Sequence, residues 1–233
     1  MKRVVWFLAV CALGLGFSGS PISAVTWTEQ GDAGQTLATA QALPTGIVPL
    51  DQINGTADGT TADADVYEIF ISDPAAFSAQ TVGGDSKCTT CAGQEFDASL
   101  ALFDENGIGI YFNDDLAQDL GDAFLPAGDA LSPTQAGWYF LAVFDDDLTP
   151  LSELTEEGII FPEVFFPFTD IVGPTGPGGG DPLSLFYEEN IVVETRDYSV
   201  LLTGTVIPEP ATGLLLGLGL TGCAICGRSR THH

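Results

Sequence analysis

Residues 138–144 read Trp-Tyr-Phe-Leu-Ala-Val-Phe, an unbroken run of seven apolar side chains. The run is short enough for a strand and too rich in aromatic residues for a surface helix. We therefore predict a central strand that is buried on both faces. We also expect both tryptophans of residues 25–206, Trp27 and Trp138, to lie in the core.

Shorter strand patterns surround this run. Residues 66–71 alternate so that Tyr67, Ile69 and Ile71 share one face. The apolar runs 99–103 and 108–112 flank the turn sequence Asp-Glu-Asn-Gly, which predicts a hairpin. Further strands are predicted at residues 77–82, 191–193 and 198–202. Since no stretch of this region shows sustained helical periodicity, the fold class is all-β, with a single β-sandwich or jelly-roll domain over residues 25–206.

One segment interrupts the strand pattern. Residues 158–182 combine four phenylalanines with five prolines and end in a glycine-rich run. Proline removes the amide donors that a strand ladder requires, so we predict a long loop whose phenylalanines pack over an end of the sandwich. A partner-binding patch is the alternative. The glycine run lacks the Gly-Lys-Ser/Thr sequence of a phosphate-binding loop.

Both ends of the chain have the composition of targeting segments. Residues 1–24 begin with Lys2-Arg3, continue with an apolar stretch and end in Ile-Ser-Ala, as in a secretory signal peptide. Residues 207–233 contain Pro208-Glu209-Pro210, an apolar run from Ala211 to Cys226 and a basic end. At about 1.5 Å per residue, a helix over this run barely crosses a membrane. We predict a transmembrane helix whose basic end stays cytoplasmic.

The C-terminal arrangement resembles a PEP-CTERM sorting signal. The resemblance implies that the chain is exported, is held in the inner membrane by its C-terminal helix, and is processed by an exosortase-type membrane protease. The mature protein is then expected in the cell envelope or outside the cell. An ordinary tail anchor is the alternative, although Pro208-Glu209-Pro210 directly before the apolar run favours the sorting signal.

The region between the two targeting segments is strongly acidic. The chain has 32 acidic and 6 basic residues, and only Lys87 and Arg196 among the basic ones lie in residues 25–206. With 31 acidic residues there, the net charge of this body is about −29. Nucleic acid and anionic lipid surfaces are thus excluded as partners by repulsion, whereas divalent cations fit this charge.

Five motifs of the body, in order, resemble the bacterial pre-peptidase C-terminal (PPC) domain. They are Trp27-Thr28-Glu29-Gln30-Gly31-Asp32, Asp63-Ala64-Asp65-Val66-Tyr67, Phe96 to Asp104 with Gly107, Asn113-Asp114-Asp115, and Ala136-Gly137-Trp138-Tyr139. The resemblance implies a β-sandwich and a calcium site in which Glu29 and Asp32 join Asp63 and Asp65. The loop at 158–182 departs from the simple form of this family.

Calcium is the cofactor that the residues favour, because it binds six to eight oxygen ligands and needs no nitrogen or sulfur. A second, weaker candidate cluster is expected at one end of the hairpin. Its members are Asp104, Asn106, Asn113, Asp114 and Asp115. The alternative for both clusters is that their side chains stabilise turns. We interpret residues 145–147, three successive aspartates, as a solvated turn.

The sequence argues against an enzyme. Both histidines, His232 and His233, follow the apolar run, so residues 25–206 offer no imidazole for nucleophilic catalysis or zinc. Cys88 and Cys91 are expected to form a local disulfide in an exported protein. The predicted function is a non-enzymatic exported component of the envelope or of an exopolysaccharide matrix. The alternative is a module that binds polysaccharide or protein through the sandwich face and the phenylalanine loop.

Overall fold

The computed structural model describes residues 24–43, 48–57, 63–82, 97–117, 122–162, 169–188 and 195–207. These residues form β-strands and connecting segments, with one short 3-10 turn at Glu156–Gly158. The strands are β1 (Val25–Thr28), β2 (Gln41–Ala42), β3 (Val48–Ala57), β4 (Ala64–Ile71), β5 (Ser78–Val82), β6 (Ala98–Asp104), β7 (Gly109–Asn113), β8 (Phe124–Leu125), β9 (Gly137–Asp145), β10 (Leu148–Leu151), β11 (Leu185–Glu188), β12 (Arg196–Thr203) and β13 (Thr205–Ile207).

The main sheet is nearly closed. Its strands follow the order β7-β6-β9-β4-β13-β3-β12-β5-β8, while β1 pairs in parallel with β3 and β2 pairs in parallel with β4. The two ends of this path approach each other, because the Phe124 amide of β8 donates a 2.7 Å hydrogen bond to Oδ1 of Asn113 in β7. The all-β prediction is confirmed. The sandwich or jelly-roll class stays a prediction, since the strands follow one path rather than two separate sheets.

The apolar run 138–144 lies in β9, between β4 and β6. Residues 141–144 are buried on both faces, as predicted. Trp138 was wrongly assigned to the core, because 40% of it is exposed near the beginning of the strand. The predicted hairpin is confirmed as β6 and β7, which pair antiparallel around a turn with Gly107 in a left-handed conformation, φ 83°.

Alternation of side chains divides the apolar residues of β4, β6 and β9 between two layers. The inner layer includes Tyr67, Ile69, Leu100, Leu102 and Leu141, which pack together inside the nearly closed sheet. The outer layer is covered by the segment between β9 and β12. Together the outer face of these strands and its cover form a second apolar cluster. Its members are Ala64, Val66, Ala101, Phe103, Ala142, Phe144, Leu148, Ile160, Phe161, Leu183 and Phe186. This second layer explains why β9 needs apolar residues on both faces.

The segment predicted as a phenylalanine loop forms part of this outer cover. Phe161 is 4% exposed and packs against Phe103 and Phe112, with ring centroids 5.8 and 5.6 Å apart. It therefore packs on the broad outer face of β6 and β7 rather than over an end of the sheet. Strands β10 and β11 flank this segment in the sequence and pair with each other, and neither was predicted. Residues 163–168, with the other three phenylalanines, lie outside the description.

The last described strand, β13, joins the two parts of the sheet by pairing with both β3 and β4. Ile207, the last residue of β13, is buried, with 4% of its surface exposed. The predicted signal peptide, the Cys88–Cys91 disulfide, the strand at 191–193 and the C-terminal helix all fall on residues outside the description. Among the described residues, none belongs to a helix long and apolar enough to span a membrane.

Candidate metal centre

Three parts of the chain meet at the beginning of β4. The segment after β1 folds back along β4, where the Val66 amide donates a 3.1 Å hydrogen bond to the carbonyl oxygen of Gly34. Gly34 has a φ of 72°, and a Cβ there would lie 2.7 Å from the Thr39 side chain, so this close approach requires glycine. Strand β12 completes the site from the other side of β3.

Glu29 connects two of these parts through its carboxylate. Oε1 accepts a 2.7 Å hydrogen bond from the Ala33 amide, and Oε2 accepts a 2.8 Å bond from the Thr56 amide of β3. Burial raises the pKa of Glu29 above its usual range, although the bonds from Thr56 and Ala33 act in the opposite direction. These two bonds hold the carboxylate in one orientation next to Asp65.

Asp65 is the buried member of the cluster, with 2% of its surface exposed. Its Oδ2 accepts a 2.5 Å hydrogen bond from the Tyr198 hydroxyl, which in turn lies 2.7 Å from the Tyr67 hydroxyl. Since Tyr198 donates its proton to Asp65, Tyr67 donates to Tyr198. Oδ1 of Asp65 is buried and has no hydrogen-bond partner among the described residues. A buried carboxylate oxygen without a donor is unfavourable unless a proton or a cation neutralises it.

The three carboxylates of Glu29, Asp32 and Asp65 lie close together. One oxygen from each lies within 4.8 Å of an oxygen from the other two. Burial is the main reason that the pKa of Asp65 rises to about 8; the bond from Tyr198 opposes this, and the charges of Glu29, Asp63 and Asp32 add to it. The structure thus brings together three of the four residues predicted for the metal site, and Asp63 lies near enough to act on Asp65 through its charge.

The donor set fits a calcium ion. Asp65 offers Oδ1, Asp32 is exposed and uses Oδ1 to accept from the Gly34 amide, and both oxygens of Glu29 retain a lone pair. Calcium accepts such a set of carboxylates and completes its coordination with backbone carbonyls or water. An open groove of about 530 Å³ borders Glu29 and gives solvent a route to this side of the cluster.

Neither the tyrosine pair, Tyr67 and Tyr198, nor the glycine beside it was predicted from the sequence. A Cβ on Gly55 would lie 2.3 Å from the ring of Tyr198 and 2.6 Å from the Tyr67 hydroxyl, so only glycine allows the tyrosines to pack on β3. Tyr67 and Tyr198 are 131 residues apart, and no local pattern in the sequence connects them.

The second predicted cluster does not form. Asp104 and Asn106 lie at the turn of the hairpin, whereas residues 113–115 lie at the opposite end of β7. The length of the strand separates the two groups. Asp104 instead stabilises the turn, because its Oδ1 accepts hydrogen bonds from the amides of Asn106 and Ile108 at 2.8 and 2.9 Å. This is the turn role that the alternative interpretation gave to such residues.

The other members of that predicted cluster also have structural partners. Asn113 bonds the carbonyl oxygen of Asp115 and the amide of Phe124, and Asp114 accepts a 2.7 Å hydrogen bond from the Ser99 hydroxyl. Burial raises the pKa of Asp114 to about 6. These contacts connect β7 to the neighbouring strands.

Residues 145–147 form a second group of carboxylates within 4.8 Å of one another. They occupy the turn between β9 and β10, where Asp146 and Asp147 are exposed. Although much of Asp146 is exposed, partial burial of its carboxyl, followed by the charges of Asp97 and Asp145, raises its pKa to about 8. The exposure agrees with the predicted solvated turn, but the carboxyls are crowded enough to influence each other.

Comparison with known proteins identifies the C-terminal segment. A family model for the PEP-CTERM protein-sorting motif matches residues 206–230, which confirms the interpretation of Pro208-Glu209-Pro210 and the following apolar run. The motif implies sorting by an exosortase-type system, and with it export and association with the envelope through the C-terminus. The match begins at Val206, inside β13, so no spacer separates the folded body from the motif.

No curated protein matches the chain. The resemblance of residues 27–145 to the PPC domain is not supported by the family comparison and stays a prediction.

Proposed function

We propose that this chain is a non-enzymatic exported protein, sorted to the cell envelope or an exopolysaccharide matrix, whose β body is stabilised by calcium. Glu29, Asp32, Asp63 and Asp65 hold the ion. The observation that carries this proposal is Asp65, a carboxylate 2% exposed with an unpartnered oxygen beside two other carboxylates. A cation there neutralises the buried charge that otherwise requires a proton.

The arrangement supports a structural ion rather than a catalytic one. Glu29 holds β3 and the segment after β1 through two backbone amides, and Asp65 belongs to β4 and contacts β12 through Tyr198. An ion between them ties the N-terminal segment to the middle of the sheet. Binding that favours the folded state alone stabilises it by about 2.7 kcal/mol when calcium is in hundredfold excess over its dissociation constant.

Thermal denaturation of the purified chain tests the ion. Calcium should raise the melting temperature and chelator should lower it, while magnesium at equal ionic strength does less because it dehydrates reluctantly. Asp65→Asn should remove most of the calcium effect. Asp51→Asn, the same change at an exposed position of β3, is the matched control and should keep it. Equal shifts from calcium, magnesium and sodium chloride would reduce the effect to charge screening.

Processing of the tail tests the sorting part of the proposal. Changing Pro208 and Pro210 to Ala should stall processing and leave membrane insertion intact, because the apolar run is unchanged. Mass spectrometry of the mature protein should find the tail removed from the wild-type chain. An intact segment 211–230 throughout the mature pool would instead identify an ordinary tail anchor.

A further inference from the structure

One large aromatic side chain of the central strand is exposed to solvent. Trp138 is 40% exposed, whereas residues 141–144 of the same strand are buried. Its ring is fixed from one side by Phe70 on the neighbouring strand, with ring centroids 5.3 Å apart and planes at 80°. An indole held in this way presents an ordered apolar surface to the solvent.

Trp138 borders an open groove of about 410 Å³ at the turn end of the β6–β7 hairpin. Asp104, Glu105 and Asn106 form one wall, and the segment before β9, with Gln135, forms the other. The Tyr139 hydroxyl donates a 2.7 Å hydrogen bond to the carbonyl oxygen of Gln135, which fixes this second wall. The groove is separate from the candidate metal centre, since the two share no residue.

The chemistry of the lining restricts the ligand. Two carboxylates and no basic residue line the groove, so an anionic ligand is repelled. An ammonium ligand offers only donors and would leave the side-chain amide donors of Asn106 and Gln135 unused, and a metal ion would make no use of the exposed indole of Trp138. A neutral sugar offers both donors and acceptors around its ring, and its CH-bearing face matches the flat indole. A protein interface typically has an aromatic cluster at its centre, whereas this groove exposes a single tryptophan.

We propose that this groove binds a neutral carbohydrate. Trp138 stacks on one face of a pyranose ring, while Glu105, Asn106 and Gln135 bond its hydroxyls. The site differs from the phenylalanine loop that the sequence suggested for polysaccharide binding, because Phe161 is buried in the outer layer.

Affinity electrophoresis of the full chain tests this proposal. Native gels contain dextran, starch, mixed-linkage β-glucan or galactomannan as neutral probes, with polygalacturonate and chitosan as anionic and cationic probes. At least one neutral polysaccharide should retard the protein, in calcium and in chelator alike. Trp138→Ala should weaken this retardation by about two- to tenfold, the loss expected for one aromatic contact.

Two further variants control the experiment. Tyr187→Ala removes a comparably exposed aromatic residue, 44% exposed, outside the groove and should leave binding unchanged. Glu105→Ala changes an exposed turn residue of the groove and should also weaken binding, so the proposal does not depend on the folding of Trp138→Ala. Retardation by no neutral probe, retardation by chitosan alone, or equal retardation of wild type and both groove variants would overturn the proposal.

Discussion

The two groups of three carboxylates within 4.8 Å of one another have the same number of acidic residues but different surroundings. In the group of Glu29, Asp32 and Asp65, backbone amides orient Glu29 and a tyrosine pair orients Asp65, whose second oxygen is buried without a partner. In the turn at 145–147, two of the three residues are exposed, and the amide of Asp147 contacts Asp145 at 3.3 Å. Carboxylate density alone therefore does not distinguish the two groups; burial and fixed orientation distinguish the one that we propose as a metal site.

Among the variants that test this comparison, Gly55→Ala should have the largest effect, because it disturbs the tyrosine pair that orients Asp65. The added methyl overlaps the ring of Tyr198, so the tyrosine must move away from Asp65. We expect a loss of about 3 kcal/mol in the free energy of unfolding, measured in urea, together with loss of the calcium effect. Gly180→Ala is the control, since a Cβ there meets nothing within 4 Å. Equal stability of the two variants would show that the tyrosine pair is not tightly packed.

The pH dependence of stability without metal should show the burial of Asp65. Its pKa rises from 3.8 to about 8 on folding, so the folded state binds the proton more tightly than the unfolded chain does. Between the unfolded pKa of 3.8 and the folded pKa of about 8, the free energy of unfolding in chelator should therefore fall as the pH rises. The loss should be on the order of 2 kcal/mol for this group. Asp65→Asn should flatten much of the slope, because the amide does not ionise, and Asp51→Asn should retain it. Parallel slopes for both variants would contradict the assignment.

Asp146→Asn should have the smallest effect. It removes one charge from the crowded turn, and the exposure of the residue limits the gain in stability to less than about 1 kcal/mol at high pH. The shift in melting temperature caused by calcium should equal that of the wild type. A reduced calcium shift in this variant would place an ion at the turn and remove the distinction between the two groups.

The local patterns of the sequence predicted much of the fold. Alternation identified β4, two apolar runs around a turn sequence identified the hairpin β6–β7, and the apolar run 138–144 identified β9 as a central strand. Strand β3 was missed because Pro49, Asp51 and Gly55 interrupt its pattern, and it is held by β1, β12 and β13 rather than by its own composition. Trp138 was assigned to the core because composition does not show where the outer cover of β9 ends.

The candidate site was predicted only in part. The acidic residues Glu29, Asp32, Asp63 and Asp65 were named through the resemblance of residues 27–32 and 63–67 to motifs of the PPC domain. The contacts that distinguish them from other acidic clusters depend on β3, β4 and β12 meeting in space. Tyr67, Tyr198 and Gly55 contribute through these long-range pairings, which no local spacing encodes.

Calorimetric titration of the purified chain with calcium tests the central claim most directly. Wild type and Asp51→Asn should each bind one calcium ion tightly, whereas Asp65→Asn should bind it at least about a hundredfold more weakly, because the buried ligand oxygen and its charge are lost. Asp146→Asn should bind like the wild type. Equal calcium affinity in wild type and Asp65→Asn would contradict a site built around Asp65.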